Sequence, residues 1–111
     1  MNDVIISVDE LKLLVASLAE YYKVQEREAL REHNVGRTCF ANLVCETWNA
    51  FNTTLEGVVK DDVASVTCRA LTKDFATVCR KALQHSRGKC EDSDLRNRLM
   101  QLREKFHISY Y

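Results

Sequence analysis

The chain has 111 residues, is 46% apolar and carries 16 basic and 16 acidic side chains, so that its formal net charge is zero. This length suits one domain with its own core and leaves no room for a second domain of ordinary size. Apolar residues recur throughout, which argues against intrinsic disorder. Residues 1–56 hold 5 basic and 9 acidic side chains, whereas residues 57–111 hold 11 and 7. The chain is therefore bipolar, unlike a uniformly basic nucleic-acid binder.

Proline is absent and glycine occurs 3 times. Because these are the two residues that most weaken a helix interior, the composition predicts an all-α protein. Gly36, Gly57 and Gly88 each fall where a helical pattern ends, the usual place for a residue that adopts the left-handed conformation cheaply. We expect a compact antiparallel bundle of four main helices in a single domain over residues 1–111.

The first helix is predicted over residues 8–33. Residues 1–6 are interpreted as an extended lead-in, since a lone strand would have no partner. Ser7 and Glu10 fit a capping box at the start of the helix. One face is largely apolar at helical spacing: Leu11, Leu14, Val15, Leu18, Tyr22, Gln25 and Ala29. Residues 34–36 are predicted to form its C-cap and a turn.

The second helix is predicted over residues 38–55. Its apolar stripe consists of Phe40, Leu43, Val44, Trp48, Phe51 and Leu55. The opposite face is polar, uncharged apart from Glu46, and contains two amides; its residues are Asn42, Glu46, Asn49 and Thr53. We interpret this face either as solvated surface or as a protein contact surface, because amides lose little on desolvation in a polar interface.

Residues 58–87 form the longest candidate helical segment in the second half of the chain, with an apolar face and a basic face, and we interpret it as the segment around which the chain is organised. The third helix is predicted to begin in it near Asp61 or Asp62, either of which can cap it. Its apolar face shifts by roughly a third of a turn along the sequence. The helix is therefore expected either to bend around Thr72 or to be buried on two sides. A break with Thr72 as a new N-cap, giving five helices, is the alternative.

The last helix is predicted over residues 93–107, after a cluster of capping and acidic residues. Its narrow apolar seam, typical of two packed helices, consists of Leu95, Leu99, Leu102 and Phe106. Residues 108–111 are expected to form a packed tail.

A basic stripe, which we define as Arg69, Lys73, Arg80 and Arg87, has spacings that would place its members on one face of a continuous helix. Four further cations would widen it: Lys81, Lys89, Arg96 and Arg103. The stripe is either the solvated face of an amphipathic helix or a site for an acidic protein or for phosphates. No aromatic residues are interleaved with the cations, which ranks nucleic acid last.

Apolar residues outside the predicted stripes give a second set of candidates. They are Leu13, Val24, Val58, Ile108, Tyr110 and Tyr111. Such residues either belong to the core or form a patch for a partner protein or a second copy of the chain.

The sequence offers no chemistry that points to an enzyme. The 5 cysteines are odd in number and no export signal precedes them, so we expect free thiols in the cytoplasm. Cys79, His85 and Cys90 lack the spacing of a zinc site. We expect no catalytic, cofactor-binding or metal-binding residue, and no run of residues is apolar enough to cross a membrane.

These observations favour a non-enzymatic protein that binds a larger protein or assembly as an inhibitor or adaptor, with self-association as a homodimer. Small helical proteins without motifs are common among phage and viral inhibitors of host machinery. The alternative function is nucleic-acid binding through the basic stripe.

Overall fold

The computed structural model describes residues 3–69 and 71–107. In this part of the chain the elements are β1 (Val4–Ser7), α1 (Val8–Glu32), α2 (Val35–Lys60), β2 (Ser65–Cys68), α3 (Lys73–Lys89) and α4 (Ser93–Lys105). Four helices pack into an all-α bundle, which confirms the predicted fold class, and the two short strands form a ribbon against it. Ile108, Tyr110 and Tyr111, the members of the predicted tail, lie outside the described residues.

Helix α1 begins where the sequence predicts. The Ser7 hydroxyl accepts a hydrogen bond from the Glu10 amide at 3.1 Å, and the Glu10 carboxylate accepts one from the Ser7 amide at 3.0 Å. Both groups satisfy amides that the first helical turn leaves without a partner. The same carboxylate lies 2.8 Å from Nζ of Lys105, so the end of α4 is fastened to the start of α1.

The connection between α1 and α2 is tighter than the sequence suggested. His33, in the left-handed conformation with a φ of 50°, is the C-cap of α1, and Asn34 is already the N-cap of α2. The prediction that Gly36 lies in a turn is wrong, because the Asn34 side chain starts the helix before it by accepting from the Arg37 amide at 3.2 Å. Gly57 also lies inside α2, three residues before its end, whereas Gly88 is the second-to-last residue of α3, close to the end that the sequence predicts.

The prediction of a third helix starting at Asp61 or Asp62 is wrong. Helix α2 instead continues through Gly57 to Lys60, and Asp62 turns the chain with a φ of 54°. Residues 65–68 then form β2, whose side chains alternate between exposed and half-buried. A four-residue segment with two β-branched residues and this alternation suits a strand better than a helix.

Residues 4–6 of the predicted lead-in are extended, as expected, but the expectation that they lack a strand partner is wrong. Strand β1 pairs antiparallel with β2, with Val4 opposite Cys68 and Ser7 opposite Ser65. Ile6 points into the core with 1% of its surface exposed, whereas its neighbour Ile5 is 64% exposed. The partner that the first strand requires thus comes from the segment that the sequence analysis had assigned to a helix.

Helix α3 begins directly after Thr72, the residue at which the alternative prediction placed a break. Thr72 is the N-cap, and its hydroxyl accepts from the Phe75 amide at 3.3 Å. The break therefore occurs, but the bundle keeps four helices because a strand precedes it. Asp92 caps α4 in the same way, through hydrogen bonds from the amides of Asp94 and Leu95.

The core lies between the ribbon, the first half of α1, the middle of α2, and the facing sides of α3 and α4. Its largest fully buried side chains are Ile6, Leu11, Leu14, Leu18, Val44, Thr47, Val78, Cys79, Leu83, Leu102 and Phe106. The one hydroxyl in this set, that of Thr47, donates to the Leu43 carbonyl at 2.8 Å. It therefore avoids the cost of an unpaired buried polar group.

Adjacent residues of β1 provide a test of the ribbon. Ile6→Ala should lower the free energy of unfolding by about 2–5 kcal/mol, because it leaves a cavity in the core. Ile5→Ala, the matched control on the exposed face, should cost about 1 kcal/mol or less. Urea denaturation measures both, and equal losses would contradict the strand register.

Candidate functional site

The turn between α1 and α2 carries the two most exposed large aliphatic side chains in the described part of the chain. Leu30, in the last turns of α1, is 68% exposed, and Val35, the first residue of α2, is 79% exposed. Every residue from 30 to 39 is exposed, so no other element covers this end of the helix pair. We call residues 30–39 the hairpin tip.

A cleft of about 440 Å³ opens beside the hairpin tip, on α1 and α2 alone. Its lining comprises Tyr22, Glu26, Ala29, Leu30, His33, Asn34, Val35, Thr38, Cys39, Ala41 and Asn42. Ala29 and Ala41 are buried, so the deepest part of the lining consists of two methyl groups. This tip cleft therefore combines a small apolar base with a rim of hydrogen-bonding groups and two exposed aliphatic side chains.

Tyr22 borders the tip cleft and stacks on Trp48, with ring centroids 6.4 Å apart and planes 11° from parallel. The neighbouring Glu26 carboxylate, with the Cys45 thiol, raises the pKa of the Tyr22 phenol above its usual value. At neutral pH this phenol is therefore protonated and can donate a hydrogen bond at the edge of the cleft.

The apolar residues that the sequence analysis singled out lie elsewhere. Leu13 and Val58 are half-buried and pack against the core, and Val24 is half-buried on α1. Leu30 and Val35 are not among the residues that the sequence predicts for a site, because one falls in a predicted helix and the other in a predicted turn. The available signal was a pair of large aliphatic residues on either side of a short polar connection.

The prediction that the four cations of the basic stripe share one face of a continuous helix is wrong. Arg69 lies between β2 and α3, and Lys73 is the first residue of α3; both are exposed. Arg80 and Arg87 lie further along α3 and are half-buried. The geometry expected of a continuous helix fails because the chain changes from strand to helix at residues 69–72.

Arg80 is occupied by a structural contact. Its Nη1 donates to the Phe106 carbonyl at 2.6 Å, and its Nη2 donates to the Thr77 hydroxyl at 3.3 Å. Phe106 is the C-cap of α4, where carbonyls lack helical partners and carry partial negative charge. Arg80 therefore holds the end of α4 against α3.

A second cleft, of about 450 Å³, lies where α1, α3 and α4 meet. It is lined by Tyr21, Thr77, Arg80, Lys81, Gln84, His85 and Arg103. We call it the basic cleft. Two shielded nitrogens in its walls, Nε2 of His85 and Nε of Arg103, lack a hydrogen-bond partner in the described part of the chain.

The basic cleft has an aromatic wall. The Tyr21 ring lies 5.5 Å from the imidazole of His85 and 6.1 Å from the ring of Phe40, centroid to centroid. Burial raises the pKa of the Tyr21 phenol, although the charge of Arg37 partly opposes this shift. Tyr21 is therefore a neutral hydrogen-bond donor at physiological pH.

The thiols of Cys68 and Cys79 are poorly suited to nucleophilic chemistry. All 5 cysteines lie in the described residues and are free, and burial raises the pKa of both Cys68 and Cys79. A thiol with a raised pKa is protonated at neutral pH and therefore weakly nucleophilic. Among the described residues, no group of three or more histidine, cysteine, aspartate or glutamate side chains is arranged to hold a metal ion.

Comparisons with protein-family models, with curated proteins and with solved structures find no match for this chain. Within residues 3–69 and 71–107, none of the helices has the length and apolar character needed to cross a membrane.

The contact of Arg80 with α4 predicts the effect of removing it. Arg80→Ala should lower the free energy of unfolding by about 1–3 kcal/mol, because it leaves the carbonyl of buried Phe106 without its donor. Arg98→Ala, an exposed arginine on α4, should change it by about 0.5 kcal/mol or less. If denaturation curves show that both changes cost the same, Arg80 does not hold α4.

Proposed function

We propose that the protein acts by binding another protein through the hairpin tip, as an adaptor or inhibitor rather than as an enzyme. The observation that carries this proposal is the pair Leu30 and Val35, which are 68% and 79% exposed beside an open cleft. Large aliphatic side chains held together in water mark surfaces that are covered in a complex.

The tip cleft has the form of a site for one apolar anchor residue. A partner that covers the two aliphatic side chains and the two alanines removes apolar surface from water. This burial stabilises the complex by roughly 25 cal/mol for each Å² of apolar surface. Glu26, Asn34 and Thr38 surround this apolar centre and can orient the partner by hydrogen bonds. Binding energy at protein interfaces concentrates in such anchor-and-pocket contacts, with a polar surround that excludes water.

The size of this surface favours a partner of a different kind over a second copy of the chain. Stable interfaces bury roughly 1,200–2,000 Å², and those of obligate homodimers are larger and more apolar. Two exposed aliphatic side chains and one small cleft fall short of a permanent homodimer surface. We therefore propose a reversible complex in which the partner inserts an apolar side chain at the tip.

The basic stripe supports a weaker candidate, nucleic-acid binding. Its exposed members, Arg69 and Lys73, lie at one end of α3, whereas Arg80 is bound to the end of α4. Non-specific phosphate binding needs cations that follow a surface.

A cytoplasmic location is part of the main proposal. The free, exposed thiol of Cys39 fits a reducing compartment.

The test compares three forms of the full chain as bait for proteins from its native host. These are the wild type, the tip variant Leu30→Ser with Val35→Ser, and the control Val59→Ser with Met100→Ser, which removes exposed apolar side chains away from the tip. A partner retained by the wild type and the control but lost by the tip variant is then purified and titrated. Its affinity for the tip variant should be at least tenfold lower, about 1.4 kcal/mol.

Three outcomes would contradict the proposal. The first is a partner that binds the tip variant as tightly as the wild type. The second is that sedimentation shows a dimer for the wild type and a monomer for the tip variant, because the tip would then be a contact between two copies of the chain. The third is capture of nucleic acid alone, abolished by Arg69→Glu with Lys73→Glu.

A further inference from the structure

The basic cleft gathers positive charge without a matching negative charge. Three of its seven lining residues, Arg80, Lys81 and Arg103, are cations, and none of those seven described residues is acidic. Among the described residues, the carboxylate in contact with this group is that of Glu104, which lies 3.6 Å from Nη1 of Arg103. Three cations against one carboxylate leave an excess of positive charge at the cleft.

The cations reach the basic cleft from different helices. Arg80 and Lys81 belong to α3, and Arg103 belongs to α4. Arg80 is held in place by the Phe106 carbonyl and the Thr77 hydroxyl, so its charge is fixed at the cleft wall rather than free to move into solvent. A concave site with convergent, partly immobilised cations is suited to a compact anion, because the protein loses little conformational freedom on binding it.

Neutral polar groups complete the lining. Thr77, Gln84 and Tyr21 can each donate a hydrogen bond. Among residues 3–69 and 71–107, no group forms a hydrogen bond with Nε2 of His85 or Nε of Arg103. Leaving a polar atom buried and unpaired costs roughly 1–3 kcal/mol. A ligand that forms hydrogen bonds with these two nitrogens would therefore gain part of its affinity from pairing them.

We propose that the basic cleft binds a phosphate dianion, either free or carried as a monoester on a small molecule. A phosphate monoester has a charge of roughly −1.5 to −2 at pH 7, which matches the excess of positive charge, and presents three acceptor oxygens. Arginine donors arranged as a fork suit such oxygens. A single carboxylate would leave more of the positive charge uncompensated.

The surroundings of the basic cleft leave space for an organic group. Tyr21 and Lys81 also line a neighbouring cleft of about 360 Å³ that extends to Arg37 and Phe40. Lys81 Nζ lies 5.1 Å from the centre of the Phe40 ring, over its face. The basic cleft itself, at about 450 Å³, falls in the range of small-molecule sites.

The test titrates the full chain with inorganic phosphate and with a nucleoside monophosphate at constant ionic strength. Amide chemical shifts should change saturably at Thr77, Lys81, Gln84, His85 and Arg103. Gln84→Glu, which adds a negative charge to the cleft without removing a contact of the fold, should weaken binding by roughly tenfold or more. Gln101→Glu makes the same change at an exposed site on the opposite side of α4 from Arg103, and should bind as the wild type does.

The two ligands distinguish the source of the phosphate. Equal affinities identify the free phosphate group as the ligand, and tighter binding of the nucleoside monophosphate assigns a contact to the organic part. The proposal is overturned if Gln84→Glu and Gln101→Glu both bind like the wild type, or if the shift changes are scattered over surface cations. It is also overturned if only an oligonucleotide binds, with an affinity that falls steeply with salt.

Discussion

The first two helices are longer than the last two, and one end of the hairpin that the first two form is exposed to solvent. Helices α1 and α2 have 25 and 26 residues, whereas α3 and α4 have 17 and 13. At 1.5 Å per residue, a helical hairpin of about 38 Å is covered by helices of about 26 and 20 Å. One end of the hairpin is uncovered, since every residue from 30 to 39 is exposed. That end is the tip, where Leu30 and Val35 meet solvent.

The opposite end of the hairpin is closed by contacts between residues far apart in sequence. Strand β1 pairs with β2, and the Glu10 carboxylate at the start of α1 binds Lys105 at the end of α4. The fully buried leucines of α1 lie toward this end. The buried core and the exposed tip thus lie at opposite ends of the same two helices, so the tip can change in sequence with little effect on folding.

The sequence was sufficient where the determining interactions are local, and insufficient where they join distant segments. The capping box of Ser7 and Glu10 and the apolar spacing of α1 placed that helix closely. Residues 65–68 fit either a helical or an alternating pattern over so short a length, and only pairing with residues 4–7 decides for a strand. The basic cleft escaped notice for the same reason, since Arg80 and Arg103 meet only when α3 packs on α4.

Solvent paramagnetic relaxation measured on methyl groups tests the open tip most directly. With a soluble gadolinium chelate and the isolated protein, the methyl signals of Leu30 and Val35 should broaden strongly, whereas those of Leu14, Leu18 and Val44 should be protected, because the latter are fully buried. Protection of Leu30 and Val35 to the level of the core leucines, at a concentration where the protein is monomeric, would contradict the account. The tip would then be covered by the chain itself.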